Sequence, residues 1–157
     1  MSDTKTMRKH SAVHATFAIE RTYDAPPTRV FNAFADPAAK AKWFGGPDEW
    51  DKGPSSFDFR VGGRESESGG PKGGVMHKFD ALYYDIVPNE RIVYSYEMHL
   101  DDKKISVSLT TIELAPAGKG TKLTFTEQGV FLDGWDDAGG REEGSKWLLG
   151  KLGNSLA

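Results

Sequence analysis

The sequence predicts an α+β domain: an antiparallel sheet of about six to seven strands gripping a long C-terminal helix, with two short helices after the first strand. Three stretches carry this reading. Residues 79–100 read as two strands joined at Pro88-Asn89-Glu90, with Ile92, Tyr94, Tyr96, Met98 and Leu100 alternating against Val93, Ser95, Glu97 and His99. Residues 104–114 and 121–131 repeat the two-residue period on either side of the turn 115–120. From about Ala138 the period changes, and Ser145, Leu148, Leu149, Leu152 and Leu156 form a helical stripe.

In chain order, residues 1–15 read as a polar, flexible leader and residues 16–157 as one domain. His10 and His14 have the spacing of two metal ligands on one helical turn, but nothing nearby supplies a third ligand, and no metal site is assigned. Residues 16–24 alternate Phe17, Ile19, Arg21 and Tyr23 against polar neighbours and form the first strand. Pro27 then suits the first turn of a helix whose stripe is Val30, Phe31 and Phe34. A second helix starts with Asp36 as N-cap and Pro37 at its first position, and ends near Trp43-Phe44-Gly45-Gly46-Pro47.

Residues 57–61 predict a strand with Phe57, Phe59 and Val61 on one face, and the polar run 64–68 an edge strand. Lys72 among the glycines at 69–74 invites a phosphate-loop reading. A strand rather than a helix follows, so a hairpin turn accounts for it better. Ile105, Val107 and Leu109 are expected on one face of the next strand, and Leu123, Phe125 and Glu127 on one face of the strand after it. Asp136 or Asp137 can cap the last helix. Its glycines at 144, 150 and 153 each cost about 1 kcal/mol relative to alanine, so packing must hold it.

Composition narrows the function classes. A formal charge of −3 gives no electrostatic reason to expect nucleic acid. No apolar run is long enough for a membrane helix, and the N-terminus lacks a secretory apolar segment, so no membrane insertion and a cytoplasmic location are expected. With no cysteine there are no disulfides, thiolate metal sites or cysteine nucleophiles. Asp48, Glu49 and Asp51 around Trp50 read as solvated carboxylates, and no cofactor is implied.

Two tyrosines and a methionine on the covered face of 92–100 need polar partners or a cavity, since a buried phenol seeks a hydrogen bond. Glu127 poses the same question more sharply. Buried and unpaired, it would cost of the order of a few kcal/mol or take up a proton; at the rim it is solvated or paired with an arginine.

Taken in order, the segments DAPPTRVFNAFADPAAKAKWFGGP, FDFRVGGRES, YYDIVPNERIVYSYE and GTKLTFTEQGVF resemble the START-like (SRPBCC) helix-grip proteins. The nearest branch is that of the bacterial homologues of the activator of heat-shock-protein-90 ATPase. The resemblance spans about residues 16–156 and is to the helix-grip domain alone. It implies a curved sheet wrapped around the C-terminal helix with a cavity between them. In the wider superfamily such a cavity holds lipids, sterols, polyketides or other apolar molecules, and in some branches it is a cyclase or hydrolase site. It carries over no universal catalytic residue.

Three functions are then compatible with the chain. In the first it binds a small apolar or aromatic molecule, walled by Phe57, Phe59, Phe79, Tyr83, Tyr94, Tyr96, Met98, Leu109 and Phe125, with Leu148 and Leu152 from the helix. Trp43 and Phe44 would shape the mouth, and Tyr94, Tyr96, His77 and Glu127 would make the directional contacts. Most of these residues could equally be plain core. In the second, His77 and Glu127 are a general acid/base pair for cyclisation, dehydration or hydrolysis, although a surface position is the ordinary fate of His77. In the third the chain is a protein-interaction module or co-chaperone-like regulator with exposed Trp50 and Trp135 as anchors. A homodimer or a protein partner is compatible with each.

Overall fold

The computed structural model describes residues 10–157. Part of the expected leader, residues 1–9, lies outside the described residues. β1 (Ala12–Tyr23) begins four residues before the expected start at 16, because β8 (Gly120–Leu132) extends far enough to pair Ala12 with Leu132. Helix α1 (Pro27–Ala35) has Pro27 in its first turn, and α2 (Pro37–Ala41) is capped by Asp36, whose carboxylate accepts from Ala39 N–H at 2.9 Å. His10 and His14 are not on a helix. His14 lies in β1, where four residues span about 13 Å.

After α2 come the short strands β2 (Asp51–Lys52) and β3 (Ser56–Phe57), then β4 (Arg64–Gly70), β5 (His77–Val87), β6 (Arg91–Leu100), β7 (Lys103–Ala117) and β8. Among the described residues they form one antiparallel eight-stranded sheet, ordered β1-β8-β7-β6-β5-β4-β2, with β3 on β4. The strand expected at 57–61 stops at Phe57. Asp58 to Gly63 is a turn closed by Gly63 N–H on the Arg60 carbonyl at 2.8 Å, and Val61 is exposed.

The long helix α3 (Ala138–Ser155) is capped by Asp137, which accepts from Gly140 N–H at 2.7 Å. Its inner face buries Ser145, Leu149 and Leu152 against the concave side of the sheet. There Ile19, Ile92, Ile112, Leu123 and Phe125 make the core, closed at one end by Val30 and Phe34 of α1. Tyr23 ties sheet to helix, its hydroxyl donating to the Leu149 carbonyl at 2.8 Å. The fold is an open sheet closed over a helix.

The helix glycines divide by what surrounds them. A Cβ at Gly144 or Gly150 would meet nothing, whereas one at Gly153 would press on the Tyr23 ring at 3.0 Å. Gly144→Ala and Gly150→Ala should each raise stability by about 0.5–1 kcal/mol, through helix propensity alone. Gly153→Ala should forfeit that gain to the Tyr23 contact. Thermal midpoints of the three variants check this, and a gain at 153 matching those at 144 and 150 would contradict the close packing of Tyr23.

One face assignment is reversed. Val107 and Leu109 are on the outer face, each 39% exposed, while Ser106, Ser108 and Thr110 point inward and are buried. A register shift between Met98 and His99 of β6 skips Ile105, which is buried at that irregularity. From Ser106 onward the inward row is hydroxylic, then apolar at Ile112 and Leu114. The reason lies in what those hydroxyls face.

Candidate functional site

Glu127 is completely buried and sits directly across from Thr110 on the inner face. Its Oε2 accepts from Tyr96 and Ser108, both at 2.7 Å, and lies 3.5 Å from Arg141 Nη1. Arg141, in the first turn of α3, donates to the Tyr96 hydroxyl at 2.9 Å, to Ser106 at 2.8 Å and to Asp136 at 3.0 Å. The guanidinium lies over the ring of Phe131, beside the small side chain of Ser106. Burial works against the Arg141 charge, but Tyr96 and Glu127 outweigh it, so the guanidinium is held more firmly protonated than usual. Glu127 is thus a structural anion with its own arginine. Its Oε1 has no partner among the described residues.

A second buried charge pair lies at the other end of the sheet. Lys40 of α2 meets Glu65 of β4 at 2.5 Å, and the Tyr83 hydroxyl donates to the same Glu65 oxygen at 2.6 Å. The ammonium lies 4.4 Å from the centre of the Phe44 ring and 4.9 Å from that of Phe57, both close enough for cation–π attraction. Burial lowers the Lys40 pKa, with Glu65 pulling the other way.

Between these pairs a cavity of about 380 Å³ opens under the sheet. Phe79, Tyr94, Tyr96, Met98 and Phe125 line its floor, and Leu148, Leu149 and Ser145 of α3 its roof. Trp43 is anchored by its indole N–H on the Ala33 carbonyl at 2.8 Å, and packs edge-on against Phe44, which in turn packs edge-on against Phe79. The mouth is formed by residues 44–53. There Trp50 stacks on His77 with ring centres 4.7 Å apart, and a Cβ at Gly46 would collide with the Trp50 ring. Glu67 of β4 projects into the same space, opposite Phe79 in the ladder. Burial lowers the His77 pKa, so its ring is neutral near pH 7.

Nine of the sequence-derived candidates therefore line the cavity: Trp43, Phe44, His77, Phe79, Tyr94, Tyr96, Met98, Phe125 and Leu148. Six do not. Leu109 faces outward, Leu152 is core, and Glu127 is engaged by Arg141 beneath Tyr96. Phe57, Phe59 and Tyr83 form an aromatic cluster of their own beside Glu65, reached by Phe31. His77 and Glu127 are not brought together: Tyr83, not His77, shares the ladder row of Glu127 through Tyr94 and Thr110.

Trp50, expected as an exposed anchor, is half-buried at the mouth, while Trp135 is 46% exposed beneath the Lys103 ammonium. Sequence reasoning passed over Lys40, Glu65, Glu67 and Arg141. Among the described residues no cluster of three His, Asp or Glu could hold a metal, and no helix is long and apolar enough to cross a membrane.

A curved antiparallel sheet, two short helices after its first strand and a C-terminal helix over an internal cavity define the START-like (SRPBCC) helix-grip class. Residues 24–157 match the family described as activator of Hsp90 ATPase homolog 1-like protein, and the chain belongs to it. A Rhizobium loti structure is 50% identical over 92% of this chain and 99% of that one, with a TM-score of 0.86. A Rhizobium leguminosarum structure is 47% identical over 94% and 97%, with a TM-score of 0.88. A Chromobacterium violaceum structure is 31% identical over 90% and 96%, with a TM-score of 0.76. A search of curated proteins gave no match.

Proposed function

We propose that this protein binds a small, largely apolar or aromatic molecule in the cavity between the sheet and α3. The observation that carries the reading is the cavity's lining. A space of about 380 Å³ with a floor of Phe79, Tyr94, Tyr96, Met98 and Phe125, and with Glu67, His77 and Lys52 among its polar groups, is within the size range of small-molecule sites. A packed core would have filled it, since interiors tolerate few voids larger than a water molecule. The charged pairs on either side act as fixed supports for the wall. The acid/base reading finds less support, because Glu127 already has a permanent cation and lies outside the cavity.

Phenylnaphthylamine, a neutral fluorophore that brightens in apolar surroundings, tests this directly. The protein should enhance its emission saturably, and Leu148→Trp, which places a larger ring in the roof, should weaken binding by about tenfold or more. Native mass spectrometry of the purified protein should also detect a co-purifying apolar molecule. No saturable binding, or binding indifferent to Leu148→Trp in a variant with unchanged circular dichroism, would overturn the proposal.

A further inference from the structure

We propose that the ligand of this cavity carries a cationic amine, held by Glu67 at the end of the cavity near Trp50 and His77. This rests on the binding reading above and names the chemistry the site selects. Glu67 follows Glu65 by two residues on β4, so both carboxylates point to the concave side. Their fates differ. Glu65 is met by Lys40 and Tyr83, whereas Glu67 lines the cavity with no ion pair among the described residues.

The surrounding cations compensate this carboxylate only in part. Lys40 is committed to Glu65, and Lys52 of β2 is exposed at the mouth beside the opposing charge of Asp51. His77, on the neighbouring strand, is neutral near pH 7. Burial, with the Glu65 charge beside it, pushes the Glu67 carboxyl above its usual range. A carboxylate so placed gains from any cation that shares its desolvated surroundings.

The rings around it favour the same ligand. Phe79 is Glu67's ladder partner, and Trp50 packs on His77 two pairs further along the strand. Aromatic faces attract ammonium groups, and tryptophan does so best. An amine at Glu67 would meet these rings, while its apolar body extends over Tyr96 and Phe125 towards Leu148. A carboxylic acid in the same position would face the like charge of Glu67.

Three probes with one aromatic body and different heads test this: naphthylethylamine, naphthylethanol and naphthylacetic acid, titrated by calorimetry near pH 7.5. The amine should bind about tenfold tighter than the alcohol, and the acid more weakly than the alcohol. Glu67→Gln, nearly the same shape, should bring the amine to within about twofold of the alcohol, with circular dichroism showing that the variant is folded. Lys52→Gln, which removes a competing cation from the mouth, should strengthen amine binding about twofold or more. An amine no tighter than the alcohol, or an amine preference that survives Glu67→Gln, overturns this inference. The cavity reading then still stands if alcohol binding is lost in Leu148→Trp. If none of the three probes binds but phenylnaphthylamine does, the amine assignment falls alone; if nothing binds, both fall.

Discussion

Replacing Arg141 by alanine is expected to cost about 3–5 kcal/mol. The cost comes less from the bonds removed than from what remains. Glu127 is fully buried, and Arg141 is the cation within ion-pair distance of it. Without the guanidinium, a carboxylate held by two hydroxyls stays inside the sheet with no counter-charge. Ser106 and Asp136 lose their donor at the same time. With a urea dependence of about 1–3 kcal/mol per molar, the unfolding midpoint should fall by more than about 1 M.

The sign of a second substitution separates this account from simple loss of contacts. In the Arg141→Ala background, Glu127→Gln should restore stability, because it removes the uncompensated charge and keeps an acceptor for Tyr96 and Ser108. In the unmodified protein the same Glu127→Gln should destabilise. Urea titrations of the two single variants and the double variant, followed by circular dichroism, measure that reversal. Additive losses would mean that the pair is not desolvated as the structure describes.

How far the sequence revealed this arrangement differs from one element to the next. The strand 92–100 was legible because Ile92, Tyr94, Tyr96, Met98 and Leu100 recur with a two-residue period, and the capped helix from Ala138 because its stripe is spaced for one buried face. The inner face of β7 was not. Its hydrophobic residues Val107 and Leu109 point outward and its hydroxyls inward, so the ordinary rule put the pattern on the wrong side. The rule failed there because a buried ion pair, not an apolar core, occupies the space beneath. Glu65 and Glu67 were hidden for a related reason. In Arg64–Gly70 every position is polar or glycine, so alternation has no contrast to show. Lys40 and Arg141 lie on helices, far in sequence from the carboxylates they meet. Only the register of distant strands gives each its carboxylate, and register is not written in any local stretch.

The register that placed Tyr23, Tyr83, Tyr94 and Tyr96 on the inner face also sets an alkaline limit on stability. Burial pushes the Tyr23 hydroxyl up to about 12, against a pull from Arg21. Burial is also the main cause that raises Tyr83, Tyr94 and Tyr96, with the Glu65 charge adding to it at Tyr83 and the Glu127 charge at Tyr96. In the unfolded chain each phenol ionises near about 10. Below that pH both states keep these protons, and the contribution to stability is complete. Above it the unfolded chain binds fewer protons than the folded one, so stability falls by about 1.4 kcal/mol per pH unit for each phenol. Lys40 acts in the opposite sense. Its lowered pKa means that the folded state loses its proton first, so stability rises with pH until the unfolded lysine titrates near about 10.4. Beyond that point the four phenols act unopposed and remove roughly 5–6 kcal/mol per pH unit, enough to unfold a domain of ordinary stability by about pH 12. Circular dichroism and near-ultraviolet tyrosinate absorbance, followed together from pH 9 upward, check this. Most of the absorbance change should coincide with the loss of structure, and Tyr83→Phe should flatten the stability slope by one proton. Tyrosinate forming at three or more sites while the circular dichroism signal persists would place these phenols in contact with water, contrary to the buried inner face described above.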